Sequence, residues 1–205
     1  MKRISIAVLF AASCVLLVTG AYAEKFVEED GIVSMEAEHY TRVDGDGTPA
    51  KTRDGFSGEG YMLMTKVRML HYNILFKKPG MYTVFLRTWS NNHKTNGVHF
   101  SLDGKTITPP GQVYFFKNAK WDWRALYREK EGAHVNYAGK SYPDRTQAFI
   151  VIDRPGVHTF TLRQRERDAE IDKIVLAYDK DQEVGGENCP DGTGPDETTY
   201  CPKKK

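Results

Sequence analysis

The chain has 205 residues, with 29 Lys and Arg against 27 Asp and Glu, and 12% of its residues are aromatic. This length suits one domain with short extensions. The near balance of charge excludes the basic character with which nucleic-acid-binding proteins attract phosphates. After the first 23 residues, no segment is apolar over the length that a membrane span needs.

Residues 1–23 have the three parts of a secretory signal peptide. Two basic residues follow the initiator Met, residues 4–18 are apolar, and Ala21-Tyr22-Ala23 is a small-residue cleavage site. Loss of the leader's two basic residues leaves 27 basic and 27 acidic residues, so the mature chain from Glu24 has no formal net charge. We therefore expect a secreted or periplasmic protein that does not insert into the membrane.

Short alternating or apolar runs recur along residues 24–180, separated by Gly, Pro, Asn and Asp, with almost no helical periodicity. This pattern predicts an all-β fold, an antiparallel β-sandwich. The pairs Pro79-Gly80 and Pro155-Gly156 suit type II turns, in which Pro fixes φ and Gly supplies a positive φ. The predicted strands are Ile32–Glu38, Tyr61–Thr65, Tyr72–Phe76, Tyr82–Thr88, Val98–Leu102, Val113–Phe116, Ala148–Ile152, His158–Arg163 and Ile171–Tyr178, with Trp123–Tyr127 a weaker candidate.

Residues 181–205 are rich in Gly, Asp and Pro and have no apolar periodicity. They are predicted to form an irregular, flexible C-terminal tail. The two cysteines that remain after leader removal, Cys189 and Cys201, both lie in it. In an exported protein we expect them to form a disulfide that closes a short loop in the tail.

Two acidic motifs stand near the ends of the predicted sandwich. Glu36 and Glu38 are two apart in a predicted strand, so their side chains leave the same face. Asp172 interrupts an apolar strand, where a carboxylate is costly unless it is paired or binds a metal. If the first and last strands are neighbours, the three carboxylates converge as Ca²⁺ requires. The alternative is that both glutamates face solvent and that Asp172 pairs with a lysine or arginine.

Four segments, in this order, resemble carbohydrate-binding modules of the family six and family thirty-five type. The resemblance implies a β-jelly-roll, here free-standing because no catalytic domain accompanies it. It also implies a structural calcium held by Glu36, Glu38 and Asp172, with backbone carbonyls from Arg53–Ser57. The four segments are Met35–Tyr40, Gly55–Tyr61, Pro79–Arg87, and Pro155–Leu162 followed by Arg165–Ile174.

In such modules sugar binds at the loop tips, where an aromatic ring stacks on a pyranose and polar groups bond its hydroxyls. Trp89, Asn91 and Asn92 supply both kinds of group in one loop. Arg167 and Asp168 precede the last strand and lie at the same end if the family topology holds. These residues are the predicted carbohydrate site.

Two further tryptophans alternate on one short run. Trp121 is predicted to add a second ring to the carbohydrate site, and Trp123 is assigned to the core. If the glycan carries uronic acid or sulfate groups, an arginine side chain suits the anion, because its planar fork binds an oxyanion through two hydrogen bonds.

The sequence predicts a monomer that binds a polysaccharide without catalysis, as an accessory to glycan degradation or recognition. The first alternative is an enzyme, a jelly-roll polysaccharide lyase or a glycosidase. Adjacent glutamates on one face do not flank a scissile bond, however, and the six histidines form no metal motif. The second alternative is an envelope or adhesion protein whose Lys203–Lys205 end contacts an anionic surface.

Overall fold

The computed structural model describes residues 25–106, 112–114, 119–123, 126–127, 134–137, 140–143, 148–179, 190, 192–198 and 200–201. The predicted signal peptide lies outside these residues, as do Cys189 and the side chain of Cys201. The leader and the disulfide therefore stay predictions. Among the described residues there is no helix that is long and apolar enough to cross a membrane.

The described residues form seventeen strands, and most of the longer ones fall where the alternating pattern predicts them. The strands are β1 (Lys25–Val27), β2 (Ile32–Glu36), β3 (Arg42–Gly45), β4 (Met62–Leu63), β5 (Val67–Phe76), β6 (Gly80–Trp89), β7 (Gly97–Leu102), β8 (Lys105–Thr106), β9 (Gln112–Tyr114), β10 (Trp121–Trp123), β11 (Leu126–Tyr127), β12 (His134–Tyr137), β13 (Lys140–Pro143), β14 (Phe149–Ile152), β15 (Gly156–Gln164), β16 (Glu170–Tyr178) and β17 (Tyr200–Cys201).

Two sheets make the sandwich. The larger has nine strands in the order β11-β9-β7-β15-β5-β1-β17, with β3 on β5 and β8 on β7. The smaller has six in the order β10-β6-β16-β2, with β14 on β6 and β4 on β16. Strands β12 and β13 form a separate hairpin, and β1 with β5 is the one parallel pair among the described strands. The all-β antiparallel sandwich is confirmed.

The core lies between the sheets because each strand alternates apolar and polar residues. On β5, Leu70, Tyr72 and Ile74 are fully buried and face Leu86 and Ile174 of the other sheet in one apolar cluster. Trp123 is 4% exposed and packs with a second cluster on the opposite side of the smaller sheet. Trp123, which was assigned to the core, is thus buried, but in this smaller cluster and not between the two sheets.

Both Pro-Gly pairs start a strand, and both glycines have a positive φ, 138° at Gly80 and 144° at Gly156. At Gly80 a Cβ atom would lie 2.6 Å from the ring of Tyr178. Glycine is therefore required there both by backbone conformation and by the close approach of the ring.

The C-terminal segment packs on the sandwich, which its composition did not predict. The Thr198 N–H donates to the Ser34 carbonyl at 3.0 Å, along strand β2 at the edge of the smaller sheet. Glu197 accepts the Glu36 N–H at 2.9 Å and contacts His39 Nδ1 at 2.8 Å. The segment thus supplies partners to an edge strand that would otherwise expose unpaired backbone groups.

Candidate functional site

Strands β2 and β16 are neighbours, as predicted for the first and last strands. Glu36 stands opposite Lys173, and the Ala37 N–H donates to the Asp172 carbonyl at 2.9 Å. Asp172 is fully buried and Glu36 is 6% exposed. The Ser57 hydroxyl lies 2.7 Å from Glu36 Oε2 and 3.0 Å from Asp172 Oδ2. Two carboxylates that are far apart in sequence therefore meet at one serine.

Each of these two carboxylates also contacts a buried basic side chain. Arg87 Nη1 lies 2.5 Å from Asp172 Oδ2, and Lys173 Nζ lies 2.8 Å from Glu36 Oε1. Asp172 accepts a further hydrogen bond from the Ser57 N–H at 2.9 Å. A buried ion pair is tolerated only when its desolvation is offset by such contacts. The sequence alternative in which Asp172 pairs with a basic residue therefore describes part of the site.

Glu38 differs from the other two acids. It lies in the turn after β2, where its Oε1 accepts the N–H groups of Glu59 at 2.6 Å and Gly60 at 3.2 Å. Its Oε2 is buried and has no hydrogen-bond partner among the described residues. Burial raises the pKa of Glu38 to about 7, although hydrogen bonds from its own backbone N–H and from that of Glu59 act in the opposite direction. A carboxylate oxygen buried without a partner is one that a cation would stabilise.

The backbone at position 58 comes so close to the Glu38 carboxylate that only glycine fits there. Gly58 has a φ of +62°, and a Cβ atom there would lie 2.4 Å from Glu38 Oε1 and 3.1 Å from the Glu36 carboxylate carbon. The Gly55 carbonyl, in the loop that was predicted to contribute carbonyl ligands, accepts from Arg87 Nη1 at 3.0 Å.

The donor set fits a hard cation in chemistry, because carboxylate and carbonyl oxygens are what Ca²⁺ prefers. Within the described ranges, no three His, Cys, Asp or Glu side chains are arranged as a ready metal cage. Glu36 and Asp172 are held instead by basic side chains and Ser57. The calcium, and Glu36, Glu38 and Asp172 as its ligands, stay predictions.

Aromatic rings gather beside this acidic cluster, at the end of the smaller sheet. Trp121 stands opposite Trp89 on neighbouring strands, and their rings meet edge to face at 5.9 Å. Tyr61 contacts Trp121 in the same way at 5.3 Å, and Phe56 lies 6.2 Å from Tyr61. Trp121 Nε1 donates to the Asp54 carbonyl at 2.9 Å in an exposed hydrogen bond.

The ring of Trp89 is covered on one side. The Arg53 guanidinium carbon lies 4.4 Å from the Trp89 ring centroid, and this guanidinium is ion-paired with Glu170 through two hydrogen bonds. Trp89 Nε1 is buried without a partner among the described residues. Trp121 is partly exposed, as Trp89 is, and the Arg87 guanidinium carbon lies 5.6 Å from its ring centroid. Sequence reasoning did not foresee Arg53, because nothing in the sequence places it over a residue 36 positions away.

The polar residues of the predicted carbohydrate site lie in two exposed loops at this same end. Asn91 and Asn92 follow Trp89 after one serine. Arg167 and Asp168 precede β16, on which Glu170 stands opposite Trp89. Glu166 connects the loops by accepting the Asn96 N–H at 2.6 Å.

The Asp168 side chain is held in place by Thr65, whose hydroxyl donates to its Oδ1 at 2.6 Å. The structure therefore brings all the predicted loop residues to one end of the sandwich. It also adds Tyr61, Phe56 and Arg53, which lie in or beside the Gly55–Tyr61 segment singled out in the sequence.

Comparison with known proteins agrees with the fold. A β-(1,4)-mannanase of the GH26-CBM35 type from Podospora anserina is 17% identical, with a TM-score of 0.50 over 76% of this chain and 29% of that one. A family 35 carbohydrate-binding module from Clostridium thermocellum is 12% identical, with a TM-score of 0.49 over 71% of this chain and 96% of that one. At 17% identity the likeness to the mannanase concerns the fold alone, a β-sandwich.

In sequence, the chain is 30% identical over 113 residues to a protein of Formosa agariphila described as uncharacterized protein P23. The match covers 54% of this chain and 25% of that protein, so the chain spans about a quarter of its relative's length. No protein-family model matches the chain.

Proposed function

We propose that this β-sandwich binds a polysaccharide without catalysis, at the end of the smaller sheet. The observation that supports this most strongly is the aromatic cluster of Trp121, Trp89 and Tyr61, which lies beside two exposed polar loops. Apolar rings flanked by a few placed polar groups are what a sugar site needs. Trp121 is the main stacking ring in this proposal, because Arg53 lies closer to the Trp89 ring, at 4.4 Å, than Arg87 does to the Trp121 ring, at 5.6 Å.

Asn91 and Asn92 offer amide groups to sugar hydroxyls, and Arg167 and Asp168 add charged groups on the neighbouring loop. All four side chains are exposed. If the glycan is acidic, Arg167 binds its carboxylate or sulfate through the guanidinium fork. In this proposal the protein is a monomer outside the cell or in the periplasm, and it acts as an accessory to a glycan-degrading enzyme. Binding through these side chains is sufficient for that role.

Calcium is part of this proposal. Glu36, Glu38 and Asp172 are its proposed ligands, together with carbonyls of the loop that contains Gly55. When bound, the ion would neutralise Glu38 and fix the loop that carries Phe56 and Tyr61. Its proposed role is structural, because Glu36 and Asp172 are too deeply buried to reach a sugar at the exposed rings.

The catalytic alternative has less support. Glu36 and Asp172 are each held by a buried basic side chain and by Ser57, so neither is available to protonate a leaving group or to activate water. A general acid and base in a glycosidase must flank the scissile bond.

The test is a glycan panel of neutral, uronic-acid-containing and sulfated polysaccharides, with retention measured by affinity electrophoresis. New reducing ends and unsaturated uronate are assayed in the same samples. We expect retention of at least one glycan without product. Formation of product would make the protein an enzyme and overturn the proposal.

The site itself is tested with Trp121→Ala, which should lose most of the retention because a stacking ring contributes on the order of 1–3 kcal/mol. Val157→Ala is the control. Val157 is 53% exposed and lies at the start of β15, away from the end of that strand that leads to Arg167 and Asp168. Equal retention by Trp121→Ala and wild type, with unchanged melting curves, would move the site elsewhere.

A further inference from the structure

The outer face of the larger sheet carries a groove of mixed polar and apolar lining, on a different sheet from Trp89 and Trp121. It is formed by β5, β7 and β15 and lined by Met69, His71, His99, Ser101, Thr161 and Arg163. The neighbours of these residues along the strands, such as Leu70 and Leu162, face the core. Alternation therefore places the groove on the side of the sheet that faces away from the core.

Strand register aligns the polar side chains of this face in two adjacent rows. Residues two apart on a strand share a face, so the two rows form one continuous surface. The first row is Arg42, His71, Thr161 and Ser101, and the second is Asp44, Met69, Arg163 and His99.

The hydrogen bonds within the first row determine which atoms are available to a ligand. Arg42 Nη2 lies 2.9 Å from His71 Nε2, and His71 Nδ1 lies 3.0 Å from the Thr161 hydroxyl. Arg42 Nη2 also lies 3.4 Å from His71 Nδ1, so the guanidinium stands over the imidazole ring and is not in line with the lone pair of one nitrogen. The Thr161 hydroxyl both donates and accepts, so its hydrogen is available to a ligand when His71 Nδ1 carries the ring proton.

The charge of the face favours an anion. Arg163 is exposed and has no ion pair within the described ranges. Arg42 adds a second guanidinium at the end of the first row, on β3. Asp44, also on β3 and opposite Met69 rather than Arg163, is the carboxylate in these two rows. The groove thus offers a cation and a hydroxyl donor over a floor of neutral side chains.

We propose that this groove binds a compact oxyanion, the sulfate or carboxylate group of an acidic sugar. Arg163 pairs with the anion through its guanidinium fork, and the Thr161 hydroxyl donates a hydrogen bond to it. Among the described lining residues the one Phe, Phe100, is 1% exposed, so the groove recognises charge and not the face of a sugar. The statement that the anion belongs to an acidic sugar rests on the proposed function, whereas the oxyanion site itself does not.

Histidine NMR spectroscopy on the whole protein tests this directly. Sodium sulfate and sodium glucuronate are titrated separately at constant ionic strength, and the ring resonances of His71 and His99 are followed. We expect a saturable shift with at least one of the two anions, and which of them binds identifies the acidic group. Shifts that stay linear for both anions would overturn the proposal.

Arg163→Gln should weaken the apparent affinity about tenfold, the effect of losing one charge-assisted contact of about 1.4 kcal/mol. Arg154→Gln removes the same charge from an exposed turn at the other end of β15 and should change nothing. Equal weakening by both variants would reduce the effect to general electrostatics and overturn the site. Unchanged melting curves confirm that both variants are folded.

The two proposals fail separately. Trp121→Ala should lose glycan retention and keep the anion-dependent shifts of His71 and His99. If wild type shows those shifts but retains no glycan, the polysaccharide proposal fails and the anion groove stands. If glycan is retained and neither anion shifts the histidine rings, only the groove is wrong.

Discussion

The acidic cluster at the loop end and the groove on the larger sheet both contain charged side chains from distant parts of the chain. The charges of the cluster are buried, whereas the arginine of the groove is exposed. In the cluster, Asp172 is fully buried and Arg87 is 7% exposed, and the pair is held by several hydrogen bonds. In the groove, Arg163 is exposed and has no ion pair within the described ranges. Burial thus commits a charge to the fold, whereas exposure leaves it available to a ligand.

The largest expected difference between the two regions is seen when one arginine is replaced in each. Arg87→Met should lower the free energy of unfolding by about 3–5 kcal/mol, because it leaves the Asp172 carboxylate buried without its cation. Arg42→Met, at the exposed end of the groove, should cost less than about 1 kcal/mol. Urea unfolding of both variants measures the difference. Similar losses would show that the Arg87 pair is not part of the stabilising interior.

The acidic cluster also differs from the groove in its expected response to chelator. Chelation with EDTA should lower the melting temperature of the wild type, because an ion bound only by the folded state contributes about 2.7 kcal/mol at a hundred times its dissociation constant. Glu38→Gln should remove most of the chelator effect, and Glu59→Gln, an exposed neighbour, should keep it. An unmoved melting curve, with no metal found by elemental analysis, would remove the calcium.

The two regions also differ in how closely side chains pack against a glycine with positive φ. Gly58 in the cluster and Gly104 at the groove have similar φ values of +62° and +72°, but a Cβ atom meets Glu38 Oε1 at 2.4 Å at Gly58 and nothing within 4 Å at Gly104. Gly104→Ala should cost about 1 kcal/mol from backbone strain. Gly58→Ala should cost about 1–3 kcal/mol more from crowding. Thermal unfolding that ranks them equally would mean that Glu38 moves aside without cost.

The smallest expected effect concerns pH and the groove. Burial, followed by the charge of Arg42, lowers the pKa of His71, and Asp44 acts weakly in the opposite direction. Below its unfolded pKa the unfolded state binds this proton more readily, so stability is lost as pH falls from about 7 towards the lowered value. His71→Gln should therefore lose less stability between pH 7 and 5 than wild type or the exposed control His93→Gln. Parallel stability curves would contradict this.

Much of the fold was predictable because it depends on local patterns. Alternation located β5, β6, β7, β15 and β16, and the Pro-Gly pairs located the starts of two of these strands. The docking of residues 192–198 was not predictable. Its contacts, such as the hydrogen bond from the Thr198 N–H to the Ser34 carbonyl, are made by backbone groups. Almost every residue has these groups, so composition does not reveal which of them pair.

The candidate site was predictable in its residues and not in its contacts. Trp89 and Trp121 were both selected, but only the structure shows that Arg53 covers the first ring. Glu36 and Asp172 were expected to share a cation. The alternative gave Asp172 a lysine or arginine partner without identifying Arg87, and it placed Glu36 in solvent, whereas Glu36 is buried and paired with Lys173. A charged side chain has many possible partners in a sequence, and strand register determines which of them lies within reach.

The sequence by itself determined the class of fold and the two acidic motifs, because strand alternation and the cost of burying a carboxylate are properties of single segments. Only the tertiary structure decided that Glu38 lacks a partner where Asp172 has several, and that Arg42, His71 and Thr161 form one row. Those outcomes depend on distances between strands that are far apart in the chain, and such distances exist only once the two sheets have packed.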